Sequence, residues 1–252
     1  MNAEIKLPNF FKPEFETDLL RIGNYNDGGY LIPQKSLERT KILHSFGLST
    51  DWSFEEEIFK KVKPKIYSYD HTVNFKSFVK LFINNPTSIF QYFKYKKFFD
   101  GKDKIHIKKR ICPSGSIALN RNSSSFIDLN QIIRKKQNRE VLLKVDIEGD
   151  EYRILDQIIY YSNSLNCLAI EFHNCDLNLD RIKNFINNFD LQLVHIHVNN
   201  WSIISPNKIP RAIELIFSPI EFNKKITKEK KYPTLLDNPN NKKYKDLKIV
   251  FF

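Results

Sequence analysis

Residues 141–152, with the sequence VLLKVDIEGDEY, constrain the fold of this chain more than any other segment. The first part is almost entirely apolar, as in a strand that is buried on both faces of a parallel sheet. Leu155 and Ile158 then recur at helical spacing, and Gly149 marks a tight turn between the two patterns. The segment therefore predicts a strand, a turn and a helix in an α/β fold.

Two carboxylates, Asp146 and Glu148, stand where this strand is predicted to end. Because they are two positions apart, we expect them on one side of the strand. Ligands of open α/β sheets bind beyond the carboxyl ends of the strands, which makes the pair a candidate site. For an isolated pair of acids, the alternative is that one caps a backbone group and the other faces water.

Strands and helices alternate along the rest of the chain, which predicts a doubly wound, mainly parallel sheet. A helix is expected to open at Ser53 and Glu56, which have the spacing of a capping box, and to stop before Pro64. Another amphipathic helix is predicted from Leu179 onward. The other predicted strands are residues 41–47, 65–70, 104–111, 168–173, 191–198, 211–217 and 248–252.

The chain is predicted to form one domain over residues 1–252, with three appended segments. Residues 1–40 hold an Asn-Asp-Gly-Gly turn at 26–29, which predicts a β-hairpin. Residues 72–104 form an aromatic and basic insertion, predicted to be two helices broken at Asn84-Asn85-Pro86. It is a lid, a patch for an anionic membrane surface, or a pair of helices packing aromatics on the core. Residues 221–252 are a tail with a final edge strand.

Net charge and cysteine content give only weak indications of the partner and the location of this protein. The net charge of +11 invites an anionic partner, but the basic residues are spread along the whole sequence. No stretch approaches the roughly 20 apolar residues of a membrane span, and the first residues lack a secretory signal. Cys112, Cys167 and Cys175 do not make a disulfide framework, so a cytoplasmic location is expected.

Polar residues stand at the ends of several predicted strands, which is the main functional indication in the sequence. Asp70 follows Gly47 by 23 positions, close to the spacing of about 20 at which nucleotide-binding units place a ribose-binding acid. The Gly-x-Gly-x-x-Gly of a pyrophosphate site is missing, so the predicted ligand is an adenosine without phosphates. The strand-end residues are Gly47, Asp70, Asp146 with Glu148, Glu171 with His173, and Asn199 with Asn200.

Residues 143–151, LKVDIEGDE, resemble the Lys-(Ile/Val)-Asp-(Ile/Val)-Glu-Gly-x-Glu signature of FkbM-type S-adenosylmethionine-dependent methyltransferases. The resemblance covers roughly residues 40–200. It implies a seven-stranded, Rossmann-like sheet of the class I methyltransferase type, and methyl transfer to oxygen, often on sugars or secondary metabolites. One glycine, Gly47, stands where the family usually has two or three.

The resemblance also implies roles for individual residues. Ribose and adenine would contact Asp70 and His71, and the methionine end would contact Gly47, Ser49, Asp51 and Ser53. His173 is the first candidate for the base that deprotonates a hydroxyl, with Asp146 or Glu148 second. Substrate contacts are expected from Asp27, Glu171, His195, Asn199 and Asn200.

A divalent metal is considered but not favoured. Asp146 and Glu171 offer oxygen ligands that suit Mg²⁺, while His195 and His197 share one face of a strand. The expected partner is a small molecule or a glycan; nucleic acid is not expected, and contact with a membrane surface is left open. Two alternatives remain, a nucleic-acid methyltransferase and a non-catalytic binding module. The motifs of hydrolases and nicotinamide dehydrogenases are missing.

Overall fold

The computed structural model describes residues 4–84, 89–135, 138–201 and 204–252. The strands are β1 (Glu4–Leu7), β2 (Phe15–Glu16), β3 (Leu19–Ile22), β4 (Tyr30–Pro33), β5 (Ile42–Phe46), β6 (Lys65–Tyr69), β7 (Lys104–Ile107), β8 (Arg110–Ile111), β9 (Phe126–Ile127), β10 (Val141–Val145), β11 (Leu165–His173), β12 (Gln192–Val198), β13 (Ala212–Ser218), β14 (Lys224–Lys225) and β15 (Lys248–Phe251). The helices are α1 (Gln34–Arg39), α2 (Ser53–Val62), α3 (Phe75–Asn84), α4 (Ile89–Phe98), α5 (Ile117–Arg121), α6 (Leu129–Ile132), α7 (Leu155–Tyr160) and α8 (Leu179–Asn188).

The centre of the fold is a seven-stranded sheet in the order β12-β13-β11-β10-β5-β6-β7. Strands β11, β10, β5, β6 and β7 are parallel neighbours. Strand β13 runs antiparallel to both β11 and β12. The chain enters the sheet at β5, proceeds outward through β6 and β7, and then returns to β10 on the other side of β5. The sheet is therefore Rossmann-like, with its switch of direction between β5 and β10, the position at which open α/β sheets bind ligands.

The prediction that residues 141–145 are buried on both faces of a parallel sheet is confirmed. Leu143 and Val145 belong to a large apolar cluster on one face of the sheet. Leu142 belongs to the cluster on the other face. Strand β11 next to it is buried over all but its last residue, His173. Because both faces exclude water, the close packing fixes the positions at which these strands end and the residues after them begin.

Two strands at the borders of the fold differ from their prediction. Residues 104–111 form two short strands, because the chain leaves the sheet after Ile107 and β8 pairs with β9 instead. The last strand, β15, pairs in parallel with β1 in a separate two-stranded sheet and does not extend the central sheet. Both differences arise from pairing with segments distant in sequence, which the local apolar pattern does not encode.

The predicted capping box at Ser53 and Glu56 is wrong, although α2 does begin at Ser53. Ser53 is already helical, and the flanking residue is Trp52, which has no capping side chain. The backbone N–H of Ser53 instead donates to Asp51 Oδ1 at 2.9 Å. Ser53 Oγ accepts from the backbone N–H of Asn24 at 3.2 Å, so it joins the helix to the N-terminal region.

The hairpin predicted in the first forty residues is confirmed as β3 and β4, which pair antiparallel. The insertion forms two helices as predicted, α3 and α4, while Asn85 and Pro86 of the predicted break lie outside the described residues. Phe78 and Tyr95 pack inward in an apolar cluster with residues of the loop after β5. None of the described helices is long and apolar enough to cross a membrane.

Candidate functional site

The loops that follow β5 and β10 approach each other closely at the switch of the sheet. Gly47 has a φ of +83°, in the left-handed region that favours glycine. A Cβ at Gly47 would lie 1.7 Å from the carbonyl oxygen of Asp146, so no other residue fits there without movement of the backbone. Lys144 Nζ, on strand β10, donates to the Gly47 carbonyl oxygen at 2.8 Å and so holds the loop against that strand. The single glycine is therefore required by the contact between the two loops.

A cavity of about 470 Å³ opens at this point. Its lining includes seven carboxylate residues and three basic ones, although the protein as a whole has a net charge of +11. An acid-lined cavity in a basic protein favours a ligand that carries positive charge. The acids are Asp27, Asp51, Glu55, Asp70, Asp146, Glu148 and Asp150, and the basic residues are Lys109, Arg110 and Lys144.

Asp70 holds the glycine loop in place. Its Oδ2 accepts the backbone N–H groups of Leu48 at 3.0 Å and Ser49 at 2.9 Å. Its Oδ1 accepts the N–H of Thr72 at 2.7 Å and the hydroxyl of Thr72 at 2.6 Å. Burial alone would raise the pKa of Asp70, but the bonds from Thr72, Ser49 and Leu48 outweigh it and lower that pKa. Asp70 is therefore an anion at neutral pH.

The tip of the N-terminal hairpin reaches the same cavity. Asp27 and Gly28 line it beside Asp51. Asn24 Nδ2 donates to Asp51 Oδ2 at 2.5 Å, which ties the hairpin to the loop before α2. The predicted cofactor residues Gly47, Ser49, Asp51, Asp70 and His71 all line the cavity, and so does Asp27; Ser53 does not.

Asp146 and Glu148 both line the cavity, but not for the predicted reason. Strand β10 ends at Val145, so the alternation of side chains along a strand does not apply to them. Asp146 is held by the hydroxyl of Tyr30, which donates to Oδ2 at 3.1 Å, and by Lys144 Nζ at 3.6 Å. Glu148 has a φ of +56° and a side chain that is 86% exposed. The two acids therefore differ, since Asp146 is braced by neighbouring side chains and Glu148 is largely exposed to solvent.

Glu171 and His173, at the end of β11, lie behind Asp146 and do not line the cavity. Glu171 Oε1 accepts from Asn199 Nδ2 at 2.8 Å, and the side chain is buried. Burial raises the pKa of Glu171 well above its usual value, and the charges of Asp146 and Glu214 raise it further. The predicted substrate residues Glu171 and Asn199 thus form a buried support behind the cavity.

His173 lies between carboxylates. Its Nδ1 is 3.1 Å from Glu151 Oε1, and its Nε2 is 3.5 Å from Glu148 Oε2. Burial alone would lower the pKa of His173, but the hydrogen bond to Glu151 and the nearby carboxylates raise it to about 9. The imidazole therefore carries its proton at neutral pH, which disfavours it as the base in this state.

Among the described residues, one group of side chains has the arrangement of metal ligands. Donor atoms of Asp146, Glu171 and His173 all lie within 4.8 Å of one another. Two carboxylates and an imidazole suit a divalent ion such as Mn²⁺ or Zn²⁺ better than Mg²⁺, which prefers oxygen ligands alone. Protonated His173 carries a proton on both ring nitrogens, so a metal bound at Nε2, which lies 3.9 Å from Glu171 Oε1, would have to displace the proton there.

His195 and Asn200 are not brought to the cavity. His195 is buried, with Nε2 at 2.8 Å from Asp237 Oδ1. Asn200 accepts the backbone N–H of Asn241 at 2.6 Å. His197 of the predicted His-x-His pair contacts Glu214 at 3.3 Å and Asp246 at 2.9 Å. These residues attach the C-terminal segment to the sheet, because Asp237, Asn241 and Asp246 all belong to that segment.

Three residues of the site were missed from the sequence. Tyr30 braces Asp146 from a strand more than one hundred residues away, and nothing local to it indicates this contact. Glu55 is buried in the cavity wall, where its Oε1 accepts from Ser45 Oγ at 2.5 Å. Burial raises the pKa of Glu55. Lys144 did carry a signal, because a lysine in the middle of an apolar strand needs a buried partner.

No protein-family model and no curated protein sequence matches the chain, so the resemblance to FkbM-type methyltransferases stays a prediction. Among solved structures it is similar to M. jannaschii TYW2 in complex with AdoMet, at 11% identity over 81% of this chain and 88% of that chain, with a TM-score of 0.38. It is also similar to precorrin-6y C5,15-methyltransferase from Geobacter metallireducens, at 12% identity over 73% and 84%, with a TM-score of 0.39. An rRNA methylase from Streptococcus thermophilus matches at 10% identity over 73% and 90%, with a TM-score of 0.38. The fold assignment rests on the strand order and directions.

Proposed function

We propose that this protein is an S-adenosylmethionine-dependent methyltransferase that acts on a hydroxyl group, with a sugar as the acceptor class. The observation that carries the proposal is the acid-lined cavity at the switch of the sheet, between the Gly47 turn and Asp70. The signature-like segment at residues 143–151 supports it, because Asp146 and Glu148 of that segment line the same cavity.

The residues present fit S-adenosylmethionine in charge. When bound, the cofactor supplies an electrophilic methyl group on a positively charged sulfur. Asp27, Asp51 and Asp146 offer carboxylates for the ammonium and the sulfonium. The ligand has no phosphate, so the absence of a glycine-rich phosphate loop does not count against it.

Asp70 is the proposed ribose contact, and its present hydrogen bonds allow one way for a ribose hydroxyl to bind. A carboxylate has about four lone-pair sites, and those of Asp70 already accept four donors from the protein. Three of the donors are backbone N–H groups, whereas the fourth is the rotatable hydroxyl of Thr72. Rotation of Thr72 away from Asp70 would free one site for a ribose hydroxyl without disturbing the glycine loop.

Asp146 is the proposed base for the acceptor hydroxyl. It lines the cavity, and Tyr30 and Lys144 hold its carboxylate in place. In-line transfer of a methyl group depends on alignment, so a braced carboxylate suits it better than the exposed Glu148. His173, the first candidate from the sequence, is proposed instead to stay protonated and to hold Glu151 and Glu148.

Cofactor binding is tested by titrating the protein with S-adenosylhomocysteine in a calorimeter. We expect saturable heat for the native protein, and binding weaker by roughly ten- to hundredfold for Asp70→Asn, since a charged hydrogen-bond acceptor is lost. Asp180→Asn, which changes an exposed acid on α8, is the matched control and should bind like the native protein. Absence of heat at millimolar ligand with a folded protein would favour a non-catalytic module.

The role of Asp146 is tested by transfer of a labelled methyl group to a panel of free and lipid-linked sugars, with RNA as the competing acceptor. Asp146→Asn should lower kcat by about a hundredfold or more, while Glu148→Gln should lower it by less than about tenfold. An equal loss of kcat in both variants would show that Asp146 is not the base. Transfer to RNA but to none of the sugars would show that the acceptor is a nucleic acid.

A metal-assisted version of the reaction is tested separately. If an ion bound by Asp146, Glu171 and His173 orients the acceptor, exhaustive chelation should abolish turnover and added Mn²⁺ should restore it. Turnover that is unchanged after chelation would show that the reaction needs no metal ion.

A further inference from the structure

The two helices of the insertion carry an unusual set of charges. Residues 71–99 contain no aspartate, no glutamate and no arginine, whereas the whole chain has 29 acidic residues in 252. The charged residues of this segment are the lysines at positions 76, 80, 94, 96 and 97. A segment of this length with one sign of charge favours an anionic surface as its partner.

The helices have one side attached to the protein and another facing outward. Phe78 and Tyr95 pack against the loop after β5, and Gln91 Nε2 donates to the carbonyl oxygen of Thr50 at 2.8 Å. Because of these contacts the helix pair is anchored on its inner side. The outward-facing apolar residues are Phe75, Phe82, Ile83, Phe90 and Phe93, which are between 41% and 74% exposed.

Apolar and basic residues are mixed on that outer side in the pattern of an interfacial helix. On α4, Phe90, Phe93, Lys94 and Lys97 are all exposed and lie at helical spacing on one face. A bilayer accepts phenylalanine and isoleucine at the boundary of headgroups and acyl chains, while lysines bind lipid phosphates. An anionic bilayer can therefore bind both the apolar and the basic residues of this surface.

Other partners fit this surface less well. A second copy of the chain would place lysines opposite lysines in a symmetric contact, with no acids in the segment to balance them. Nucleic acid could use the lysines for its phosphates and the phenylalanines for stacking on bases, but the exposed Ile83 offers neither a hydrogen bond nor a stacking surface, whereas a bilayer accepts it.

We propose that the outer side of α3 and α4 docks on an anionic lipid bilayer. The membrane face is defined by Phe75, Phe82, Ile83, Phe90, Phe93, Lys94 and Lys97. Phenylalanine and isoleucine side chains enter the interface, and the lysines pair with anionic headgroups. The proposal does not depend on methyl transfer, since vesicle binding is measured without cofactor or acceptor.

The test is cosedimentation of the full chain with vesicles of phosphatidylcholine alone or with about 30% phosphatidylglycerol, enough to give the bilayer a negative surface potential. We expect binding to the anionic vesicles only, weakened but not abolished when salt is raised. Phe90→Ser/Phe93→Ser and Lys94→Gln/Lys97→Gln should each reduce the partition coefficient about tenfold or more. Because these residues are exposed, the melting temperatures of both variants should stay close to that of the native protein.

Matched controls change equally exposed residues elsewhere. Leu177→Ser/Leu235→Ser and Lys242→Gln/Lys243→Gln should bind like the native protein. Equal binding to neutral vesicles, or binding that survives both membrane-face variants, would overturn the proposal. It would also be overturned if the native protein ignored vesicles but bound single-stranded RNA, or formed dimers, through the same phenylalanines.

Discussion

Gly47 is the residue on which the geometry of the site depends most. It combines a left-handed backbone with a contact that leaves no room for a side chain, because an added Cβ would lie 1.7 Å from Asp146 O. Gly115 also has a positive φ, of +71°, but nothing lies within 4 Å of the position of its Cβ. A side chain at Gly115 would therefore cause backbone strain alone, whereas a side chain at Gly47 would cause both strain and a steric clash.

Replacing each glycine by alanine tests this difference. Gly115→Ala should cost about 1 kcal/mol of the free energy of unfolding, from strain alone. Gly47→Ala should cost about 3 kcal/mol or more, and should weaken S-adenosylhomocysteine binding, because the loops after β5 and β10 must separate. Urea denaturation and calorimetry measure the two effects. Similar losses in both variants would show that the contact with Asp146 is unimportant.

His173 makes the stability of this region depend on pH. Its pKa is raised from 6.5 to about 9, so the stabilisation is fully present below pH 6.5 and is lost as the pH rises through 9. The difference in free energy of unfolding between the native protein and His173→Gln should therefore shrink by up to about 3 kcal/mol from pH 6 to pH 10. A difference that stays constant would show that folding does not raise the pKa of His173.

At the scale of elements, the C-terminal segment is attached to the sheet by buried histidine–carboxylate pairs. Asp237 accepts from Thr234 N–H at 2.6 Å and lies 2.8 Å from His195 Nε2. Burial alone would raise the pKa of Asp237, but the charge and hydrogen bond of His195 lower it to about 2. Its contribution to stability is therefore present above pH 3.8 and is lost as the pH falls through 2.

Asp237→Asn should release the C-terminal segment. We expect a loss of about 2 kcal/mol in the free energy of unfolding, and faster hydrogen exchange at residues 232–247 than in the native protein. Glu229→Gln changes an exposed acid in the same segment and should alter neither quantity. If exchange in the segment is unchanged in Asp237→Asn, other contacts hold it.

How far the sequence predicts each element follows from where its partners lie. Strand β10 is recognisable because burial on both faces requires a continuous apolar run, and α8 because its apolar residues repeat with the helical period. The pairing of β15 with β1 could not be predicted from the sequence of either strand, because it depends on the two ends of the chain meeting.

The site divides in the same way. Gly47, Asp70 and Asp146 were predictable because they directly follow strands of the parallel sheet, whose ends meet at one edge. Tyr30, which contacts Asp146 and lies 3.5 Å from Glu171, was not, because it comes from the appended hairpin. The raised pKa of His173, which led us to propose Asp146 as the base, was also beyond the sequence, since it depends on the position of Glu151.

For the whole molecule, charge is divided between an acid-lined cavity and a basic exterior. Such a division favours a positively charged ligand in the cavity and an anionic surface outside it, so the two proposed binding events are separable. Raising the salt concentration should weaken vesicle binding much more than S-adenosylhomocysteine binding, because salt screens the exposed lysines more than the partly buried acids Asp51, Asp70 and Asp146. Equal salt dependence would show that both ligands use the exterior.

The central claim is that the cavity between Gly47, Asp70 and Asp146 holds the adenosine and the sulfur of the methyl donor. The most direct measurement is a crystal structure of the protein with S-adenosylhomocysteine. We predict the ribose at Asp70 with the Thr72 hydroxyl rotated away, and the sulfur facing Asp146. Ligand density anywhere else, or a cavity that stays empty at saturating ligand, would contradict the account.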